Sequence, residues 1–217
     1  MALIRDEPGV LQAGHSPRRR LLADAAIGVL AREGGRGLTH RAVDRAADVP
    51  EGTTKNYYPT RQSLLEAAAE RMAEQHRAAV NQLRDTTPAS ATPGQVRMLY
   101  AALIRRAVRE DPTQALAMFE LYLEAVRHPA VRSALGEMVA ANADATARLH
   151  QAAGLLSSPS DAGLLDACIL GVMATQLALP PEALRAIGLD DIDGVGARLF
   201  DATAVHPDVA RRTARSR

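Results

Sequence analysis

The side chains best suited to chemistry form a short polar run, TTKNY, at residues 53–57. This run supplies hydroxyl, amide and ammonium donors, and Lys55 is the only lysine in the chain. Such donors can hydrogen-bond to phosphate oxygens or to guanine O6 and N7. We interpret Lys55 as a nucleic-acid contact, with a solvated surface lysine as the alternative.

Catalytic and metal-binding chemistry has little support in the sequence. The six histidines are scattered, and no pair lies four residues apart on one predicted helix. Cys168 is the only cysteine, which excludes an intrachain disulfide and a thiolate zinc cluster. Glu120 and Glu124 share a helix face, a spacing typical of solvated or salt-bridged carboxylates. We therefore expect no enzyme, no metal and no cofactor.

Charge is distributed unevenly along the 217 residues, whose formal net charge is only +1. Residues 1–61 carry ten basic and seven acidic side chains, so the excess positive charge lies at the N-terminal end. Any contact with a polyanion must come from a local patch there. The first twenty residues show no secretory signal, and the longest apolar run, 167–174, is too short to cross a bilayer. We expect a cytoplasmic protein without a membrane partner.

The composition predicts an all-α fold. The chain contains 43 alanines and only 3% aromatic residues, which favours helices over sheets. Signals that begin helices occur at Ser16-Pro17, Thr39, Pro50-Glu51, Thr60, Thr92-Pro93, Asp111-Pro112, His128-Pro129 and Ser160. The segment 161–179 is apolar on almost every side, which predicts a helix that is buried all round.

Two short helices are predicted over residues 39–47 and 50–57, joined by a tight turn at Asp48-Val49. Longer helices flank them on both sides. This arrangement is a helix-turn-helix pattern, in which the second helix enters the major groove of DNA.

Residues 38–65, LTHRAVDRAADVPEGTTKNYYPTRQSLL, resemble the DNA-binding signature of TetR-type (tetracycline-repressor-like) transcriptional regulators. They match its pattern without a gap at the following positions: Thr39, Arg41, Val43, Ala46, Ala47, Val49, Gly52, Thr53, Tyr57, Pro59, Leu64 and Leu65. Asp44, Asp48, Pro50 and Lys55 depart from the pattern, and the change at Pro50 is expected to move the cap of the recognition helix.

The resemblance implies which residues contact an operator. We expect the DNA-binding set to be Thr39, Arg41, Thr53, Thr54, Lys55, Asn56, Tyr57 and Arg61. Tyr58 occupies the position of a buried aromatic residue, and Arg61 that of a phosphate clamp. The run Arg18-Arg19-Arg20 is either an arm on DNA or a solvated terminus, and the sequence favours neither.

A single helix-turn-helix unit binds DNA weakly, so a homodimer on an inverted-repeat operator is expected. The apolar helix near 164–177 and the amphipathic stripe 192–200 are predicted to form a four-helix interface, as is common in this family. Its residues are Leu164, Leu165, Cys168, Ile169, Val172, Ile192, Val195, Leu199 and Phe200. A fully buried central helix in a monomer is the alternative.

The helices between residues 92 and 153 are expected to enclose a pocket for an unknown small-molecule effector. Its candidate residues are Met98, Met118, Phe119, Tyr122, His128, Met138 and Met173, and ordinary core packing is the alternative for each. Effector binding would shift the fourth helix and spread the two recognition helices.

The sequence thus predicts a dimeric DNA-binding regulator, most simply a repressor released by its effector. We expect a DNA-binding domain over 1–62, with an arm at 1–15, a ligand-binding and dimerisation domain over 63–206, and a basic tail over 207–217. A helical protein-interaction scaffold, or a regulator without a small-molecule effector, is the alternative.

Overall fold

The computed structural model describes residues 16–86 and 91–203, and these residues form ten α-helices. The predicted arm and basic tail lie outside these ranges. The helices are α1 (Pro17–Gly37), α2 (His40–Ala46), α3 (Thr53–Tyr57), α4 (Arg61–Thr86), α5 (Pro93–Arg105), α6 (Thr113–Ala125), α7 (Pro129–Ala152), α8 (Pro159–Ala178), α9 (Pro181–Ala186) and α10 (Ile192–Thr203). A π-helical turn at Arg106–Glu110 extends α5. The predicted all-α fold is confirmed.

Side-chain capping begins four of these helices, α1, α2, α4 and α5, where the sequence predicts. The Ser16 hydroxyl accepts a hydrogen bond from the Arg19 amide at the start of α1. Thr92 and Gln95 form a reciprocal capping box at the start of α5. Each bond satisfies an amide that has no partner within its helix.

Two helix boundaries differ from the prediction, and one short helix was not predicted. The recognition helix begins at Thr53 rather than Pro50, because Gly52 has a φ of 91° and cannot belong to a right-handed helix. Ser158, not Ser160, caps α8, because Asp161 closes a capping box on it and Pro159 takes the first helical position. The short helix α9 was not predicted.

One hydrophobic core joins the N-terminal helices to α6 and α7. Leu22 and Leu30 of α1 and Leu64 of α4 are fully buried, and Leu121 and Leu135 belong to the same cluster. Helix α1 packs on α6, and α4 packs on α7. The helix-turn-helix therefore rests on a scaffold that continues into the C-terminal helices.

Within one protomer helix α8 is buried on one side only, which contradicts the alternative of a central helix that is fully buried in a monomer. Ala162 and Leu165 face the interior, whereas Leu164 is 59% exposed. By length and composition alone, α8 is the one helix in the described chain that could cross a membrane, and only 17% of that stretch is buried. The protomer covers one side of this apolar helix and leaves the other side open.

Candidate functional site

The turn of the helix-turn-helix depends on two left-handed residues. Asp48, at a φ of 52°, ends α2, and Gly52, at a φ of 91°, precedes α3. Aspartate tolerates this region better than most residues, and glycine adopts it without steric cost. The tight turn predicted at Asp48-Val49 is confirmed.

A buried carboxylate fastens the start of α3 to α2. Asp44 is 2% exposed. Its Oδ2 accepts from the Gly52 amide at 2.8 Å, and its Oδ1 accepts from the Thr54 amide at 2.7 Å and the Thr54 hydroxyl at 2.5 Å. Pro50 cannot cap this helix with a side chain, and Asp44 performs the task from the neighbouring helix.

The electrostatics of Asp44 favour its ionised form. Burial alone would raise the pKa of this carboxyl, but the hydrogen bonds from Thr54 and Gly52 outweigh burial and lower the pKa below its usual value. The departure from the family pattern at residue 44 is therefore structurally linked to the one at residue 50. The sequence alone does not reveal this link, because Asp44 lies in α2 and Pro50 lies in the turn before α3.

The described surface of α3 presents Lys55 and Asn56, which are both exposed. Thr53 is half-buried, and its hydroxyl donates to the Pro50 carbonyl at 2.6 Å. Thr54 is fully buried against Asp44, so it has no surface for DNA. We therefore correct the predicted contact set at Thr54, whose role is to hold the helix.

Helix α2 carries two exposed arginines, Arg41 and Arg45, and the Thr39 side chain caps its start. The Thr39 hydroxyl accepts from the Ala42 amide at 3.2 Å, which confirms its capping role. Arg41 is exposed, and its Nε lies 2.6 Å from Oε1 of Glu51. Arg45, one turn later on the same face, is also exposed and was missed by the sequence reasoning. Its i, i+4 spacing from Arg41 was the available signal.

Arg19 packs against the end of the recognition helix. Its guanidinium carbon lies 5.9 Å from the Tyr57 ring centroid and 5.2 Å from that of Tyr58. The Tyr58 hydroxyl donates to the Arg19 carbonyl at 3.0 Å, and the Tyr58 ring is buried as predicted. Of the three-arginine run, Arg18 and Arg20 are exposed, whereas Arg19 is half-buried and supports α3.

Arg61 does not stand free as a phosphate clamp. Its guanidinium lies 3.0 Å from Oε1 of Glu124 on α6 and donates to the Gly35 carbonyl at 2.5 Å. The Gly35 amide in turn donates to Glu120 at 2.8 Å, and His128 lies 3.2 Å from Glu124. Arg61 thus links α4 and the end of α1 to α6, and because its side chain is 42% exposed the predicted phosphate contact stays a prediction.

The predicted dimer residues divide into two groups. Leu165, Ile192, Val195 and Phe200 are at most 8% exposed within the protomer, so they pack in its own interior and are corrected as partner contacts. Leu164 is exposed, and Cys168, Ile169, Val172 and Leu199 are half-buried. This second group lies on the open side of α8 and along α10.

The seven predicted effector residues do not form one cluster. Met138 is buried in the N-terminal core and Met118 packs against that core, whereas Met98 is 64% exposed on α5. Phe119, His128 and Met173 are half-buried, and Tyr122 is 37% exposed. Core packing, the stated alternative, describes Met138.

Polar groups in the C-terminal helices form two networks that the sequence reasoning missed. In the first, Asn142 of α7 donates to Asp166 of α8 at 2.5 Å, and His76 of α4 lies 3.0 Å from the Asn142 carbonyl. Burial raises the pKa of Asp166 to about 6, against the opposing effect of the Asn142 hydrogen bond. Asp166 is the only charged residue between Ala162 and Pro181, and that isolation was the signal.

The second network brings a serine, a histidine and a tyrosine together. His150 lies 3.0 Å from both the Ser157 hydroxyl and the Tyr100 hydroxyl, and all three residues are at most 7% exposed. Burial lowers the pKa of His150 and raises that of Tyr100. A substrate has no access to this set, which satisfies buried polar groups next to Phe200. Within 16–86 and 91–203, no cluster of His, Cys, Asp or Glu suits a metal ion.

Comparisons with known proteins agree with this architecture. Residues 91–212 match the family model described as the tetracyclin repressor-like C-terminal domain. The multidrug binding protein EbrR complexed with ethidium is 26% identical, with a TM-score of 0.61 over 86% of this chain and 98% of that one. A TetR family member from Streptomyces coelicolor A3 is 25% identical, with a TM-score of 0.63 over 87% and 98%. No curated protein sequence matches significantly.

The helix-turn-helix unit and the helical C-terminal domain belong to a single chain. This arrangement is typical of one-component regulators. The chain belongs to the TetR family of transcriptional regulators. It is a DNA-binding transcriptional regulator with a ligand-binding fold, and it is not an enzyme.

Proposed function

We propose that this protein is a cytoplasmic homodimeric repressor that binds an inverted-repeat operator and is released by a small-molecule effector. The proposal rests chiefly on the exposed Lys55 and Asn56, which a rigid turn presents on a short helix. Residues 1–62 would bind DNA, 63–206 would bind ligand and dimerise, and 207–217 would form a basic tail.

The polar surface of α3 suits the major groove. Lys55 can donate to guanine O6 and N7, and Asn56 can pair with adenine. Thr39, Arg41, Thr53 and Tyr57 are further proposed contacts, and Arg45 extends the basic surface of α2. A phosphate can bind Arg41 only if it replaces Glu51 as the partner of that side chain. This exchange is feasible because an exposed ion pair such as Arg41–Glu51 is weak.

The open side of α8 supports dimerisation. Leu164, Cys168 and Val172 lie at i, i+4 and i+8, so they share one apolar face, and none of them is buried in the protomer. A second copy of the helix would cover this face, with Ile169 and Leu199 at its margin. A dimer places two recognition helices about 34–36 Å apart, the spacing of successive major grooves.

A small-molecule effector is supported by relatives whose structures hold ligands. EbrR has been crystallised with ethidium, with proflavin and with malachite green. Helix α4 connects the two parts of this chain, since it starts at Arg61 beside the helix-turn-helix and packs along α7. Effector binding that favours a different position of α4 would change the spacing of the recognition helices.

The decisive experiment selects bound duplexes from a random pool with the full-length protein. We expect an inverted repeat, a dimeric complex in solution, and an affinity that falls steeply with salt concentration. Recovery of a single asymmetric site, or binding that ignores both sequence and salt, would contradict the proposal. A reporter under the selected sequence then tests whether bound protein represses transcription.

A further inference from the structure

The recognition helix is too short to fix its own position. Helix α3 comprises only the five residues Thr53–Tyr57, and the Tyr58 amide closes its last turn by donating to the Thr54 carbonyl at 2.8 Å. A helix of this length is not stable alone, because few hydrogen bonds offset the cost of nucleation. The orientation of Lys55 and Asn56 therefore depends on the contacts that other elements make with the two ends of α3.

Helix α2 contacts both of these ends. At the start of α3, Asp44 accepts hydrogen bonds from the amides of Gly52 and Thr54. At its end, Nε2 of His40 lies 2.7 Å from the carbonyl oxygen of Tyr58. His40 and Asp44 are four residues apart, so they lie on one face of α2, which is turned towards α3. Two attachment points fix the direction of a short helix, whereas a single one would let it rotate about that point.

The acceptor at the end of α3 determines the role of the histidine. A carbonyl oxygen carries no hydrogen, so Nε2 of His40 must be protonated and must donate. The carbonyls in the last turn of a helix have no partner within that helix. Tyr58 is only 4% exposed, so water is a poor substitute for the imidazole as a donor.

The His40 bond lies next to the side chains that are proposed to contact DNA. Lys55, Asn56 and Tyr57 directly precede the residue whose carbonyl His40 binds. Hydrogen bonds to base edges weaken steeply when their distance or angle changes, whereas the attraction between a cation and the phosphate backbone varies slowly with distance. A small rotation of α3 should therefore reduce sequence-specific binding and leave non-specific binding nearly intact.

We propose that His40 is a positioning residue for operator recognition. Its bond to the Tyr58 carbonyl acts together with Asp44 to fix the orientation of α3 in the major groove, and His40 itself makes no DNA contact. This inference rests on the proposed function, because it concerns how α3 reads an operator.

The DNA test compares His40→Asn with His40→Gln. The amide nitrogen of glutamine occupies the same position in its side chain as Nε2 does in histidine, whereas the asparagine side chain is one bond shorter. We expect His40→Asn to weaken binding to the selected operator about fivefold and to leave binding to a random duplex unchanged. His40→Gln should restore operator affinity to within about twofold of the wild type.

The matched control is His76→Asn, which removes a half-buried histidine of α4 that contacts Asn142 and should change neither affinity. All variants are titrated where circular dichroism shows them fully folded, so a mere loss of stability would not alter binding. Unchanged operator affinity in His40→Asn, an equal loss on both duplexes, or a glutamine variant as weak as the asparagine variant would each overturn the proposal. An equal loss, with a salt slope smaller by about 0.9, would identify His40 as a charged phosphate contact instead.

A second measurement needs no DNA. Hydrogen exchange of the Tyr58 amide reports opening of the last turn of α3, and we expect it to be about fivefold faster in His40→Asn and restored in His40→Gln. The Leu184 amide, which donates to the Pro180 carbonyl in α9, is the internal reference and should not change. Unchanged exchange of Tyr58 would overturn the proposal. Faster exchange in a protein that selects no specific duplex would instead refute the proposed function and leave the attachment of α3 by His40 standing.

Discussion

The buried Asp44 and the half-buried Asp166 show how the surroundings of the same side chain differ between the two ends of the molecule. Asp44 accepts three hydrogen bonds at the start of α3, and these lower its pKa despite burial. Asp166 accepts one from Asn142, and burial raises its pKa to about 6. The Asp44 carboxylate receives its hydrogen bonds from the protein itself, and these bonds stabilise the start of α3. The Asp166 carboxylate has a single hydrogen bond from Asn142, so the effect of burial on its pKa prevails.

The apolar surfaces follow the same division. Leu22, Leu30 and Val43 around the helix-turn-helix are fully buried. On α8, Leu164 is 59% exposed, and Cys168 and Val172 are only half-covered. The DNA-binding unit is thus complete within one protomer, while the C-terminal helices leave surface for a partner.

The largest effect on DNA binding is expected from placing charged side chains on the exposed apolar face of α8. The double variant Leu164→Glu/Val172→Glu should be monomeric and should bind the operator at least 100-fold more weakly, because two half-sites can no longer be read together. Sedimentation and DNA titration measure both effects. Leu123→Glu is the matched control, since Leu123 is 58% exposed on α6 rather than α8.

Removing the contacts of Asp44 in the helix-turn-helix should lower the stability of the protein as well as its affinity for DNA. Asp44→Ala leaves the Thr54 hydroxyl and two amides without their partner, and we expect a loss of about 2–4 kcal/mol in the free energy of unfolding. Urea denaturation measures this loss. Asp48→Gly, in the same turn but at a φ of 52°, should be neutral or slightly stabilising. Equal loss in both variants would contradict the role of Asp44.

Removing the carboxylate of Asp166 is expected to raise the free energy of unfolding, which is the opposite of the effect expected at Asp44. Its pKa is raised by folding, so the folded state binds the extra proton between about pH 4 and 6, and stability falls as the pH rises through this window. Asp166→Asn should therefore gain about 1–3 kcal/mol at pH 7.5. The gain should shrink at pH 5. Thermal denaturation at both pH values checks it, and a pH-independent difference would speak against a buried charge.

Specific DNA recognition should depend on Lys55. Lys55→Ala is expected to weaken operator binding about tenfold, and non-specific duplex binding less, because the ammonium is proposed to contact a base. Arg77→Ala removes an exposed cation of α4 as the control. An equal loss on both kinds of duplex would reduce Lys55 to a phosphate contact.

The smallest effect is expected from the ion pair between Arg61 of α4 and Glu124 of α6, which connects the two ends of the molecule. A double-mutant cycle with Arg61→Ala and Glu124→Gln should give a coupling of about 1 kcal/mol, because the Arg61 side chain is 42% exposed and solvent screens the pair. Chemical denaturation supplies the four free energies. A cycle that closes at zero would mean that Arg61 contributes through the Gly35 carbonyl alone.

Much of the helix-turn-helix could be predicted, because its signals are local. Ser16, Thr39 and Thr92 cap the helices that they precede in sequence, and Asp48 adopts its left-handed turn next to α2. Capping and turn chemistry act over three or four residues, so they can be read directly. The all-α class follows from composition for the same reason.

The contacts between distant residues could not be predicted in this way. Thr54 and Arg61 were both predicted to contact DNA, yet Thr54 is buried against Asp44 and Arg61 pairs with Glu124, 63 residues away. Periodicity marks Leu165 and Phe200 as apolar, but only packing decides that they face the protomer's own interior.

The amino-acid sequence by itself therefore determined the helical class, the family and the position of the recognition helix, because these depend on composition and short-range spacing. Tertiary structure alone decided which polar groups are satisfied, which apolar faces stay open, and that Asp166, Asn142 and His76 meet across three helices. The physical reason is that burial and compensation of charge depend on neighbours that the chain brings together only when it folds.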